Sequence, residues 1–166
     1  MSTTRRSSCL VTNDGAELYS ETFGKGAPFV LIHAGVADSR MWNNEFEFFA
    51  ETHRVIRYDL RGYGRSEPVD HEFTHLRDLV AVMDALGVDE PAIVMGCSIG
   101  ANLAVDLALE HPGRVKSLIL VGGGAPAPES SAPESPKFAE AEQAWKDGDI
   151  ELTAEIEAQI WFDGVG

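Results

Sequence analysis

The sequence lacks any apolar run near the ~18 residues that a membrane-spanning helix needs, so no membrane partner is expected. Cysteine is scarce: Cys9 and Cys97 lie far apart, which argues against a disulfide framework and fits a reducing cytoplasm. No cluster of cysteines and histidines has metal-ligand spacing, so no metal is expected. Bases are few, 13 lysines and arginines against 27 acids in 166 residues, for a formal charge of -14. A chain this acidic has no electrostatic footprint for nucleic acid. The opening residues carry Arg5 and Arg6 but no apolar stretch behind them, so no export signal is expected. Internal repeats are absent. Histidine is scarce too: of five, only His111 follows residue 98.

What is present centres on Pro91 to Gly100. An apolar run, Ala92-Ile93-Val94-Met95, meets Gly96-Cys97-Ser98-Ile99-Gly100, and a strongly helical segment, Ala101 to Glu110, follows at once. Strand, sharp turn and helix with G-x-S-x-G at the corner have a physical logic. A serine forced into a tight corner takes a strained backbone, and the residues two before and two after must be small for strand and helix to approach. Gly96 and Gly100 meet that need. Ser98 would stand clear of the sheet, close to the unpaired N–H groups and positive end of the helix, where an oxyanion is stabilised.

The rest reads as alternating strands and helices. Cys9 to Thr12 and Glu17 to Phe23, separated by Asn13-Asp14-Gly15, predict a β-hairpin. Phe29 to Ile32 is a continuous apolar run, as in a strand covered on both faces. A loop through His33-Ala34-Gly35-Val36 leads to a helix capped by Asp38 or Ser39 and carrying Trp42, Phe46 and Phe49. Arg54 to Leu60 is the next strand, and the glycines of Arg61-Gly62-Tyr63-Gly64-Arg65-Ser66 mark a tight loop. Leu76, Leu79, Val80, Met83 and Leu86 recur at helical spacing up to a Gly87 cap. After the elbow helix and a His111-Pro112-Gly113 turn comes a strand, Val115 to Val121. This alternation predicts an α/β fold, with about six strands in a mostly parallel sheet and helices on both faces.

Beyond Gly122 the composition changes. Residues 125–136, rich in Ala, Pro and Ser, read as a linker between a core over 1–124 and two amphipathic helices over 137–166. The first carries Phe138, Ala141 and Trp145 on one face, and the second starts at an Asp149 cap. Ten acids and two bases fall in 129–166, most simply the solvated face of these helices.

Three blocks together resemble the N-terminal part of a serine-type α/β-hydrolase, from the branch that includes perhydrolases, enol-lactonases, small esterases and proline iminopeptidases. His33-Ala34-Gly35, with Trp42 downstream, resembles the H-G-x oxyanion loop. Asp59-Leu60-Arg61-Gly62-Tyr63-Gly64-Arg65-Ser66 resembles the D-x-R-G-x-G-x-S turn, and Gly96 to Gly100 the nucleophile elbow. The resemblance covers residues 9 to about 124, and the last two helices look like the opening of the family's lid. It implies a C-terminally incomplete α/β-hydrolase core, with Ser98 as nucleophile and the N–H groups of Ile99 and Gly35 as oxyanion hole. Gly35 is carried over as donor rather than Ala34 because the donor is the third residue of H-G-x. His33, Gly96 and Gly100 would support the site. The implied substrate is a small acyl compound, an ester or lactone, and no cofactor is needed.

The family's triad runs Ser, then Asp or Glu, then His. A serine hydroxyl is a poor nucleophile until a base takes its proton, and the expected acid and base are missing after Ser98. His33 is the nearest earlier histidine, read as a hydrogen-bonder that fixes the loop. His53, His71 and His75 belong to other parts of the surface. Asp59 is read as holding the turn after it, and Cys97 as packing away from the corner. Three forms are expected to compete: a hydrolase fragment lacking acid and base, a split enzyme completed by another chain, and a non-catalytic binding module. The edge of the Val115 to Val121 strand is the expected surface for self-association or for a complementing chain.

Overall fold

The computed structural model describes residues 5–124 and 136–160. They fall in two compact units, 1–125 and 126–166. The expected linker, 125–136, lies outside the described residues except for Pro136.

The first unit opens with strands β1 (Ser7–Asn13) and β2 (Ala16–Phe23), paired antiparallel with Asn13 opposite Ala16. The two residues between them, Asp14 (φ 44°) and Gly15 (φ 76°), are both left-handed, the geometry that lets a two-residue turn follow the twist of its strands. Strand β3 (Pro28–Ile32) follows, then a 3₁₀ turn (Ser39–Trp42), helix α1 (Asn43–Ala50) and strand β4 (Arg54–Tyr58). Helix α2 (His75–Ala85) leads to β5 (Ala92–Cys97), helix α3 (Ile99–Glu110) and β6 (Val115–Val121).

The six strands lie in the order β1-β2-β4-β3-β5-β6, with β4, β3, β5 and β6 parallel. Alternation along each strand divides the core. Phe29 and Leu31 of β3 join Trp42, Phe46 and Val55 on the α1 face. Val30 and Ile32 face the other way, onto Leu79, Val82 and Met83 of α2 and Leu103, Ala104 and Leu107 of α3. Helices therefore cover both faces, as the alternating pattern predicts.

This topology places the candidate site. The chain passes from β3 outward to β4, then returns to β5 on the other side of β3, so the loops after β3 and β5 diverge from neighbouring strands. Such a switch point is where open α/β sheets hold ligands. Ile32 stands opposite Gly96 in the β3–β5 ladder, so residues 33–35 and 97–99 emerge side by side.

Two arginines, one on β4 and one just after it, are buried. Arg57 of β4 is 1% exposed; its Nε donates to Glu21 Oε2 at 2.7 Å, its Nη1 donates to Ser39 O and Asn43 Oδ1, and its guanidinium lies 4.3 Å from the centre of the Phe46 ring. Burial pushes the Glu21 carboxyl up, but Arg6 and Arg57 outweigh it and hold it below the usual range. Arg61 donates to both oxygens of Asp78 at 2.8 and 2.6 Å and to the carbonyls of Asn13 and Asp14, tying the post-β4 loop to α2 and the hairpin turn.

β6 lies at one margin of the sheet, with Ile119, Leu120 and Val121 exposed. In the second unit, α4 (Pro136–Lys146) packs through Ala141 and Ala144 on Ile156 of α5 (Ile150–Ala158), while Trp145 is exposed. Asp149 caps α5, accepting from Leu152 N–H at 3.0 Å. Among the described residues no helix is long and apolar enough to cross a membrane.

Candidate active site

Ser98 occupies the corner between β5 and α3 with φ 53° and ψ -116°, a left-handed conformation that costs a non-glycine residue about 1–3 kcal/mol. Its neighbours hold it there. Ser98 N–H donates to Val121 O at 2.9 Å, and Ser98 O accepts from Ala101 N–H at 2.9 Å and Asn102 N–H at 3.1 Å, so the residue is both the end of a sheet ladder and the cap of a helix.

The flanking glycines are required by contact. A methyl on Gly96 would lie 2.0 Å from Gly100 O, and one on Gly100 would lie 2.4 Å from Ile32 O and 2.6 Å from His33 O. Strand, helix and the end of β3 therefore meet through bare backbone. Ser98 itself is exposed, and Cys97 faces the Phe29, Leu31 and Trp42 cluster on the α1 side.

The loop after β3 is fixed by His33, which is fully buried. Leu60 N–H donates to its Nε2 at 2.8 Å, so the ring proton sits on Nδ1 and is donated to Ala34 O at 2.7 Å. Burial lowers the His33 pKa, against the opposing pull of the Ala34 carbonyl and of Asp59 and Asp38. With both nitrogens engaged, His33 is a bracket between the ends of β3 and β4, and the loop-fixing role matches its pattern. Ala34 O also accepts from Ala37 N–H at 3.1 Å. That carbonyl shares a planar trans peptide with the Gly35 N–H, so holding the oxygen aims the hydrogen the opposite way.

Gly35 and Ile99 come together. The position a Gly35 methyl would occupy is 3.5 Å from Ile99 Cγ2 and 3.7 Å from Tyr63 Oη. The Ile99 N–H belongs to the first turn of α3, where helices leave donors unpaired. Among the described residues neither it nor the Gly35 N–H has an acceptor. Beside Gly35 opens a hollow of about 680 Å³ whose walls include Asp38, Met41 and Tyr63.

Asp59 organises the rim. Its Oδ1 accepts from Ser39 N–H and its Oδ2 from Arg65 N–H, each at 2.9 Å, and Ser66 Oγ donates to its carbonyl at 2.6 Å. It holds the turn. Nearby, hydrogen bonding and charge from Arg40 bring the Asp38 carboxyl down to about 2.

None of the other histidines joins Ser98. His111 caps the far end of twelve-residue α3, about 18 Å along the axis at 1.5 Å per residue. His53 packs on Phe29 at the start of β4, His71 lies 3.4 Å from Asp14 at the hairpin turn, and His75 begins α2. Among the described residues the Ser98 hydroxyl makes no hydrogen bond, and no group of side chains suited to a metal ion occurs.

One contributor has no role in the sequence reading. Gly123, just past β6, lies against the elbow: a methyl there would be 2.8 Å from Ser98 O and 3.1 Å from Ser98 Cα. Next to it Gly124 N–H donates to Asn102 Oδ1 at 2.8 Å. The available signal was a glycine run straight after the strand that follows the elbow helix.

The sequence pattern of the alpha/beta hydrolase fold family matches residues 27–159. Among curated relatives, rhodomycin D methylesterase DnrP of Streptomyces peucetius is 38% identical over 126 residues, covering 70% of this chain and 42% of that protein. The pimeloyl-(acyl-carrier protein) methyl ester esterase of Vibrio campbellii is 34% identical over 131 residues, covering 78% of this chain and 45% of the esterase. Among solved structures, Est816, described as an N-acyl homoserine lactone degrading enzyme, superposes with a TM-score of 0.69 at 35% identity, over 87% of this chain and 54% of its own. The chain thus spans less than half the length of these curated relatives.

Proposed function

The chain belongs to the α/β-hydrolase fold family, and on that premise we propose that it carries the nucleophile and oxyanion hole of a serine hydrolase acting on an ester or lactone. Ser98 Oγ attacks the acyl carbon while a base takes its proton. The carbonyl oxygen, now anionic, accepts from the N–H groups of Ile99 and Gly35. The C–O bond to the leaving oxygen breaks, and that oxygen takes the proton the base took from Ser98; an ester's alcohol departs, whereas a lactone's new hydroxyl stays tethered to the acyl-serine. Water then attacks the acyl-serine, releasing the acid and restoring Ser98. No cofactor enters this scheme.

The observation that carries the reading is the meeting of Gly35 with Ile99 beside a left-handed, exposed Ser98. The relatives named above include two methyl ester esterases and a lactone-degrading enzyme, and a carbamate hydrolase of Azorhizobium caulinodans is 40% identical over 116 residues. What these substrates share is an acyl carbon bearing a heteroatom leaving group, of which we take an ester or lactone as the target. We take the base and its orienting acid to come from outside the described residues: His33 has both ring nitrogens engaged, His111 lies at the far end of α3, and no described histidine hydrogen-bonds Ser98. Without them, the oxyanion hole and binding leave roughly 10³–10⁴-fold catalysis over water. Two free cysteines suit work in a reducing cytoplasm.

A fluorophosphonate tests this. Mass spectrometry of the 166-residue chain after long exposure should find one slow adduct, on Ser98, faster when imidazole is added as external base and absent in Ser98→Ala. An adduct elsewhere, or one equal in both proteins, overturns the reading. Rapid labelling without imidazole would show that a base is already in place.

A further inference from the structure

Two consecutive N–H groups leave the end of β3, and their surroundings differ. Ala34 N–H, in a residue only 7% exposed, donates to the thioether sulfur of Met41 at 3.3 Å. Gly35 N–H has no acceptor among the described residues.

Met41 is held in place to do this. It lies in the 3₁₀ turn Ser39–Trp42, where Met41 N–H donates to Asp38 O at 3.0 Å and Ser39 N–H is tied to Asp59 Oδ1. Trp42, next in sequence, is buried on the α1 side of the sheet. The long unbranched Met41 side chain reaches back from this anchored turn to the loop. Sulfur is a weak acceptor, yet a buried N–H with no acceptor at all carries a desolvation penalty.

We infer that Met41 is a positioning residue for the oxyanion loop: its sulfur engages the Ala34 N–H and leaves the Gly35 N–H as the loop's donor to the site. This rests on the proposed role of Gly35. Two successive peptides are then held from different sides, the Ala34 N–H by Met41 and the Ala34 carbonyl by His33 and Ala37. Without Met41's sulfur the Ala34 N–H loses its acceptor, and the loop is held at the Ala34 carbonyl alone.

Amide hydrogen exchange read by NMR on the ¹⁵N-labelled chain decides the matter. In the unaltered protein the Ala34 amide should exchange about tenfold or more slowly than that of Gly35. Met41→Leu, of similar volume but without an acceptor, should remove the difference, and Met41→Gln, whose side-chain carbonyl accepts, should restore it. Fluorophosphonate labelling should follow, slowed about threefold or more in Met41→Leu and recovered in Met41→Gln. Equal exchange at Ala34 and Gly35 in the unaltered chain overturns the inference. So does undiminished Ala34 protection in Met41→Leu, or labelling slowed alike in both variants. If Met41→Leu does not fold, the two amides of the unaltered chain still decide. If Ser98 takes no label in any protein, the serine reading alone fails, and exchange still reports on Met41.

Discussion

Gly123 lies flat against Ser98: the nearest approach a side chain at 123 could make is 2.8 Å, to the Ser98 carbonyl. That oxygen is also the acceptor that starts α3, bonded to the N–H groups of Ala101 and Asn102. The elbow is thus walled on one side by the segment after β6, and displacement of Ser98 O disturbs the helix start and the Ile99 N–H together. Gly123→Ala should destabilise by about 1–3 kcal/mol, the range for overpacking, and slow the labelling of Ser98. Gly113→Ala is the control, because nothing lies within 4 Å of that position and its φ is not left-handed. Urea unfolding of the two variants should separate them; equal midpoints would show that the Gly123 contact relaxes without cost.

The Arg61–Asp78 pair predicts a different pattern. Both side chains are 1% exposed, and Arg61 also serves two backbone carbonyls. Arg61→Met leaves the buried Asp78 carboxylate without its countercharge, with Asn13 Nδ2 still donating to it at 2.7 Å, and should cost about 3–5 kcal/mol, whereas Arg61→Met with Asp78→Leu should cost much less than the sum of the single changes. Lys146→Ala, which breaks an exposed i,i+4 pair with Glu142, should leave the urea midpoint unchanged. Strict additivity at 61 and 78 would deny the coupling.

Much of the architecture was legible because its signals are local. The apolar run of Phe29–Ile32, the helical spacing from Leu76 to Leu86 and the glycine-flanked Ser98 each reflect a period or contact within a dozen residues. The geometry of the candidate site was legible where a short motif carried it: the left-handed corner at Ser98 and the buried His33 that fixes the loop before Gly35. What escaped were pairings across the chain. Glu21 and Arg57 lie on adjacent strands but 36 residues apart, and no pattern around either announces the other. Gly123 had no role in the sequence reading because its contact is the backbone of a residue 25 positions earlier. Nothing in the sequence around Met41 marks it out; only the folded loop shows that its sulfur faces an amide.

Two histidines give the stability of the first unit a sign with pH. Burial lowers the pKa of His33 and of His75 below 6.5 in the folded chain, against nearby groups that raise them and, for His75, alongside His33 and Arg61. Between the folded and unfolded values the unfolded chain binds more protons, so stability falls as pH drops below 6.5 and stops falling on this account below the folded values. Glu21 adds a second, lower window. Its folded pKa is below 4.5, so its contribution is present above 4.5 and is lost as pH falls through the folded value. Urea unfolding from pH 7.5 to 5 should show the first loss, and His75→Gln should make the slope shallower. An unchanged slope would mean that His75 binds its proton equally in both states.

Ser98 itself should be less stable than its replacement by glycine. Its φ of 53° and ψ of -116° belong to a region that glycine enters freely and a side-chain-bearing residue enters at about 1–3 kcal/mol. Glycine also gains backbone freedom in the unfolded chain, which takes back about 0.5–1 kcal/mol. The net expectation for Ser98→Gly is a gain of about 1 kcal/mol, or a few degrees in Tm for a chain of this size. Ser98→Ala keeps the Cβ and the backbone strain, and should melt within error of the unaltered protein. Both variants should lose the fluorophosphonate adduct, so labelling separates the hydroxyl from the strain while melting separates strain from hydroxyl. If Ser98→Gly melts no higher than Ser98→Ala, the corner is not under tension at this residue. The left-handed turn would then be set by the contacts of Gly96, Gly100 and Gly123 alone.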